Sequence, residues 1–190
     1  MFNQVEVLTE PVDKWKDLEG NNLLERMYAD PSRWASVFQT YVQFTVAENH
    51  TKATTRPVKV MERSIFSSQY CFAQNMLNSG KLDPAEFAVA KAGFQFLKDA
   101  PGLDTEVDLI IYLRTSPEKS YERVKARGRG EEQQIPLEYL EELHSLHDDW
   151  LIHGRFPVPA RVVIVDADQD REAMRRECSR VGREECGLWV

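Results

Sequence analysis

Residues 108–124 read DLIIYLRTSPEKSYERV, and the fold turns on them. Leu109 to Leu113 is an uninterrupted apolar run, shorter than an ordinary helix and lacking the alternation of a half-solvated strand. Such a run is the signature of a strand buried on both faces. Ser116-Pro117 then sets a capping hydroxyl before a proline at the first helical position, so a helix follows the strand almost at once. The same grammar recurs outward along the chain. Val162 to Val165, in RVVIVDA, is a second continuous apolar strand, and Val5–Leu8 and Val58–Met61 read as two more. Asp30-Pro31, and Asp83-Pro84 with Glu86, are further helix starts. Helices alternating with buried strands predict an α/β fold, a doubly wound parallel sheet covered by helices on both faces.

Composition bounds what such a fold does. The 190 residues are 42% hydrophobic and 29% charged, with no repeat or low-complexity linker, which predicts a single domain over 1–190 with 169–190 as a helical C-terminal tail. No run of about 18 apolar residues occurs, so no membrane partner is expected. A net charge of −7 argues against a protein that coats nucleic acid. Cys71, Cys178 and Cys186 are odd in number and show no C-x-x-C spacing, which fits a reducing compartment. No secretory signal is visible; the cytoplasm or the mitochondrion is expected, with any transit peptide upstream of Met1.

In parallel sheets of this kind ligands sit beyond the carboxyl ends of the strands. There the chain places Glu10, Glu62-Arg63, Arg114 and the pair Asp166 and Asp168. Glu10 beside Arg63 reads either as a general base held ionised by a guanidinium or as an ion pair closing the sheet edge. On the helix from Pro31 to about Asn49, Trp34, Val37, Phe38, Tyr41 and Thr45 form the expected core stripe, with Gln39, Val42 and Val46 beside it. Gln39 is suited to reading the edge of a flat heterocycle, but a boundary residue is the plainer reading. Arg123, Lys125, Arg127 and Arg129 run into a glycine-bearing stretch, as either a closing lid over phosphates or a solvated charged face. His144 and His147 lack a third ligand, so their helix reads as packing through Leu140, Leu143, Leu146 and Trp150.

The motifs VLTEPVDKW (7–15), LLERMYADPSRW (23–34), QTYVQFT (39–45), MERSIFSSQYCFAQNM (61–76), DLIIYLRTSPEKSYERV (108–124) and IPLEYLEELHSLHDDWLI (135–152) follow one another in order. Together they resemble the deoxyribonucleoside kinase family, in the branch that holds the mitochondrial thymidine kinases and the insect multisubstrate enzymes. The resemblance implies a P-loop-kinase-like fold, transfer of the ATP γ-phosphoryl to the 5′-hydroxyl of a pyrimidine deoxynucleoside in nucleotide salvage, and a homodimer. By position, it implies that Glu10 is the general base, Arg63 its partner on the 5′-oxygen, and Glu62 the acid near magnesium and the phosphates. Gln39 would bond the base, with Trp15, Met27, Val42, Val46, Ser68 and Phe72 around the ring. Tyr28 and Glu132 would grip the 3′-hydroxyl. Arg123, Lys125, Arg127 and Arg129 become the lid, and Asp166 and Asp168 belong to the ATP side. ATP and Mg2+ are the implied cofactors.

The sequence departs from that pattern twice. Ala92-Gly93 stand where the family carries an acid and a tryptophan, and a mid-helix glycine costs about 1 kcal/mol relative to alanine. Ahead of VEVLTEP the family has a central strand, a G-x-x-x-x-G-K-[ST] loop and a helix; the 190 residues contain no such pattern. The expectation is an N-terminally truncated kinase domain with an intact nucleoside half. Its alternative is a non-catalytic nucleoside-binding or regulatory partner of a full-length kinase.

Overall fold

A computed structural model describes residues 4–133 and 135–187. Strand β1 (Val5–Leu8) leads into helices α1 (Val12–Lys16), α2 (Leu23–Ala29) and the long α3 (Pro31–Thr51). Strand β2 (Val58–Met61) is followed by a short α4 (Ile65–Ser67), a π-helical turn over Ser68–Ala73, α5 (Gln74–Asn78) and α6 (Pro84–Asp99). Then come β3 (Leu109–Arg114), α7 (Pro117–Arg127), a 3-10 turn at Gly130–Glu132, α8 (Leu137–Leu151), β4 (Arg161–Asp166) and α9 (Arg171–Cys186). Residues 188–190 of the expected tail lie outside the described residues.

The strands stand where the apolar runs put them, and both pairings are parallel. Val5–Leu8 lies in register on Val58–Met61, and Leu109–Arg114 on Arg161–Asp166. Among the described residues the four strands form two two-stranded ribbons, β1-β2 and β3-β4, where the sequence predicts one sheet. Burial on both faces is also corrected. Tyr112 and Val165 are buried beneath the helices, whereas Ile111 (39%), Leu113 (48%) and Ile164 (48%) face outward, as do the paired Val7 (66%) and Val60 (40%). An apolar run records that both faces of a strand favour burial, not which face its neighbours cover.

The helices start as their caps dictate. Asp83 Oδ1 accepts from Ala85 and Glu86 N–H while Glu86 reaches back to Asp83 N–H, a complete capping box. Gly128, in the left-handed region at φ 67, ends α7. Helix α3 is rotated from its expected pose. Phe38, Gln39, Val42, Thr45 and Val46 are buried, but Val37 is 48% exposed and Trp34 and Tyr41 are only partly covered. Two apolar stripes compete on this helix, and the neighbours decide between them. Trp15, Met27, Phe38, Ile65, Phe66 and Phe94 form the heart of the core. Trp15 meets Phe38 edge to face at 5.6 Å, and Phe66 meets Phe94 likewise at 5.7 Å.

The departure at Gly93 has a packing cause. A β-carbon there would stand 3.0 Å from Gln43 Oε1, and Gln43 donates its amide to Ala90 O at 2.9 Å. The glycine admits a buried amide between α3 and α6.

Candidate active site

Two strand ends build the centre of the site. β1 stops at Leu8, and Thr9-Glu10-Pro11 carries the Glu10 carboxylate off its carboxyl end. Beside it, Glu62 N–H donates to Leu8 O at 2.8 Å, which extends the ladder by one bond. Arg63 then turns into the left-handed region at φ 64, unusual for a residue with a β-carbon and worth about 1 kcal/mol of strain. Ser64 caps α4 directly afterwards through a reciprocal bond with Ser67. The turn aims the guanidinium back at the neighbouring strand: Arg63 Nη1 donates to Glu10 Oε1 at 2.7 Å.

The pair is shaped from several sides. The Arg63 guanidinium lies 4.3 Å over the Phe72 ring, a cation–π contact that fixes its plane. Glu62 Oε2 accepts from Glu10 N–H at 3.2 Å. Burial raises the Glu10 carboxyl above its ordinary value, with Arg63 opposing that shift and Glu62 adding to it. The result is a carboxylate that is more basic than usual and already hydrogen-bonded to a cation, which is what proton abstraction from a hydroxyl requires.

Gln39 is not a boundary residue. It is 1% exposed, and its Nε2 donates to both Ser68 O (2.9 Å) and Ser68 Oγ (2.8 Å). Its amide oxygen has no protein partner among the described residues. Ser68 and Phe72 lie on the π-helical turn, a distortion that places side chains a regular helix would not. Val42 and Val46 are buried on the same helix as Gln39. Met27 is in the core, and Trp15 is buried with its indole N–H on Thr45 Oγ1 at 2.8 Å. Tyr28 is half-buried; burial and the nearby Tyr139 and Glu132 push its phenol well up.

The cationic segment divides. Glu132, 8% exposed, gathers Arg127 (Nη2 to Oε2, 2.5 Å) and Arg129 (Nη1 to Oε1, 3.1 Å). Lys125 donates to Gln133 O at 2.6 Å. Arg123 points elsewhere and ties α7 to the loop after β4 through Ala167 O (2.7 Å) and Gln169 O (3.3 Å). In that loop Asp166 accepts from Asp168 N–H (3.0 Å), and Asp168 from Ser116 N–H (2.8 Å). Asp168 therefore stitches the ends of β3 and β4 together, and Asp166 holds the turn that presents it. Beside them lies a cleft of 480 Å³ lined by Thr115, Lys119, Arg123, Gln169 and Arg171 among others.

Sequence reading missed a polar network behind the site. Arg114 does not reach the rim: it grips Asp148 through Nε and Nη2, and Asp148 also accepts from Tyr112 (2.9 Å). His144 lies between Thr115 O (3.0 Å) and Asp148. His147 Nδ1 stands 2.7 Å from Leu143 O, and its ring stacks on Tyr112. Burial lowers the His147 pKa to about 4, so the ring is neutral. Tyr112 and Asp148 are 36 residues apart, and no local spacing could have joined them.

Parallel strand pairs flanked by helices, with an acid and an arginine at adjacent strand ends, are consistent with a P-loop-kinase-like α/β fold. The comparisons narrow that class. The deoxynucleoside kinase family model matches residues 1–184. Mitochondrial thymidine kinase 2 of Homo sapiens is 48% identical over 171 residues, covering 90% of this chain and 64% of its own length. Deoxycytidine kinase of Bos taurus is 36% identical over 170 residues, covering 78% and 65%. Deoxycytidine kinase 2 of Gallus gallus is 34% identical over 193 residues, covering 87% and 73%. The chain belongs to the deoxynucleoside kinase family, and it spans just under two thirds of the length of the thymidine kinase it matches.

Proposed function

We propose that this polypeptide is a deoxynucleoside 5′-kinase, transferring the γ-phosphoryl of ATP to a pyrimidine deoxynucleoside in nucleotide salvage. The observation that carries the reading is the Glu10–Arg63 pair at 2.7 Å, with the Glu10 carboxylate made more basic by burial and the Arg63 plane resting on Phe72, one turn along the same π-helical segment from the Ser68 that holds Gln39. A nucleoside fits with its base edge on the Gln39 amide and its ring between Val42, Val46 and Phe72. Its 5′-oxygen then lies at Glu10, which takes the hydroxyl proton while Arg63 holds the oxygen. Tyr28 and Glu132 flank the sugar.

Magnesium fits beside Glu62, whose exposed carboxylate offers hard oxygen donors. Bound there with ATP, it would neutralise charge on the phosphates. Among the described residues no three His, Cys, Asp or Glu side chains converge as metal ligands, so the phosphates would complete its shell. Lys125, Arg127 and Arg129 are the lid's phosphate-binding cations. Asp166 and Asp168 shape the ATP side by holding its loops.

The relative's name carries the word mitochondrial, which supports that compartment, with the cytoplasm as the alternative. No helix among the described residues is long and apolar enough to cross a membrane. We also read the protein as a homodimer. Helices α3 and α6 pack together, and each turns large apolar side chains to solvent: Val37 (48%) and Phe44 (56%), Val89 (66%) and Phe96 (69%). An antiparallel pairing of α3 with its copy sets Val37 against Phe44 of the partner subunit and Arg33 against Glu48 of the partner subunit, a self-complementary pattern.

A second reading, a nucleoside-binding or regulatory partner of a full-length kinase, is favoured by the state of the lid, whose four cations are all engaged by protein oxygens. One experiment separates the two. Phosphoryl transfer from labelled ATP to thymidine and deoxycytidine is measured for the 190-residue chain and its Glu10→Gln variant. The kinase reading expects turnover that falls at least about a hundredfold in the variant, with thymidine binding retained. Folded protein that binds thymidine without turnover establishes the second reading, and absence of thymidine binding removes both.

A further inference from the structure

The Arg63 turn is anchored behind the site as well as at Glu10. Two residues after it, Ile65 opens α4 and is wholly buried (0%). The Ser64–Ser67 capping box satisfies the N–H groups of those two serines but not that of Ile65. Ile65 N–H donates instead to His50 Nε2 at 3.2 Å. His50 belongs to the last turn of α3 and is 2% exposed. A backbone N–H can only donate, so Nε2 carries a lone pair and the ring's single proton resides on Nδ1. Burial, with the Lys59 ammonium adding to it, lowers the His50 pKa to about 4, so that lone pair is available throughout the neutral range. The ring is also held in place. Phe66 meets it edge to face at 6.4 Å, and Lys59 of β2 donates to the His50 carbonyl.

Helix α3 grips the same segment a second time. Gln39 stands eleven positions before His50, roughly three turns along one face of the helix, and bonds Ser68 through its backbone and its hydroxyl. Residues 65–68 are therefore clamped to α3 at both ends, with Arg63 just before the clamp and Phe72 just after it. A left-handed residue with a β-carbon persists only where its surroundings over-determine it. The Ile65–His50 bond is the restraint nearest to Arg63 on its C-terminal side that comes from another element.

We infer that His50 is a positioning residue: its Nε2 lone pair anchors the turn after β2 to α3 and so sets where the Arg63 guanidinium meets Glu10. It acts through the Ile65 backbone, not on the substrate. The inference rests on the reading of Glu10 and Arg63 as the reacting centre and adds a residue that neither the motifs nor the strand ends point to.

The test separates position from fold. In the native chain near neutral pH, long-range proton–nitrogen correlation spectra are expected to show the His50 proton on Nδ1; a proton on Nε2 would overturn the inference outright. Two variants follow, with thermal melts to establish folding. His50→Gln carries an amide oxygen that reaches as far as Nε2, whereas the side chain of His50→Asn reaches only as far as Nδ1. The Phe72 ring face shifts the Arg63 side-chain resonances upfield. In His50→Asn they are expected to move toward their positions in Phe72→Leu, and in His50→Gln to stay in place. Phosphoryl transfer to thymidine is expected to lose about tenfold or more in kcat in His50→Asn, with KM held within about twofold, and to recover in His50→Gln. Added to Arg63→Ala, His50→Asn should cost nothing further. A ring kept only for packing would leave Arg63 in place in any folded variant, so unmoved resonances in folded His50→Asn, or equal displacement in both variants, overturn the assignment. If the native chain shows no turnover, the kinase reading falls, and the Arg63 resonances still decide the role of His50.

Discussion

Arg63 joins three features of the site in one residue. Its backbone is left-handed at φ 64, its guanidinium bonds Glu10, and its plane rests on Phe72. The strain and the contacts have the same origin, because only a sharp reversal after β2 returns the side chain to the end of β1. The two contributions separate by mutation. Arg63→Ala and Arg63→Gly both delete the ion pair and the cation–π contact, but only glycine accepts the left-handed backbone without a β-carbon clash. Arg63→Gly is expected to be more stable than Arg63→Ala by about 1 kcal/mol in chemical denaturation, with the proposed phosphoryl transfer lost in both. Equal stabilities would show that the turn is not strained. Glu10 behaves differently, since its carboxyl is displaced upward mainly by burial. A group so placed loses its charge at higher pH than an exposed glutamate, so the proposed base falls idle earlier as acid is added.

At the scale of elements, α3 and α6 show how a neighbour can reverse a local preference. Gly93 weakens α6 by helix propensity alone, yet Gln43 Oε1 fills the space its side chain would take. Gly93→Ala is therefore expected to destabilise the native chain, because Gln43 also bonds Ala90 O and has little freedom to move. In a Gln43→Ala background the same change should stabilise by up to about 1 kcal/mol, as an ordinary glycine-to-alanine substitution in a helix does. A double-mutant cycle reads the coupling directly, and additive effects would refute the packing account. Sequence reading saw the glycine but took it as a defect. The amide that explains it lies 50 positions upstream, and no periodicity links the two.

For the whole molecule, the self-complementary face of α3 sets a testable assembly. Phe44 lies at its centre and is 56% exposed. Phe44→Asp places a charge in the proposed interface without touching the core, and sedimentation should show a dimer for the native chain and a monomer for the variant. A native chain already monomeric at micromolar concentration would remove the homodimer reading. Both ribbons also leave apolar side chains uncovered, Val7 and Val60 on one and Ile111, Leu113 and Ile164 on the other.

The sequence by itself determined the local elements: four apolar strand runs, capped helix starts and the acid and arginine at adjacent strand ends. Each depends on residues within a few positions of one another, and the order of quoted motifs was enough to imply the family. Tertiary structure alone decided which stripe of α3 is buried, that Gln39 is sealed against Ser68, that Arg114 serves α8 rather than the rim, that Arg123 is tied to the loop after β4, and that Glu132 gathers Arg127 and Arg129. Those outcomes depend on side chains brought together from distant parts of the chain. Burial and charge act through space, and a spacing in sequence records neither.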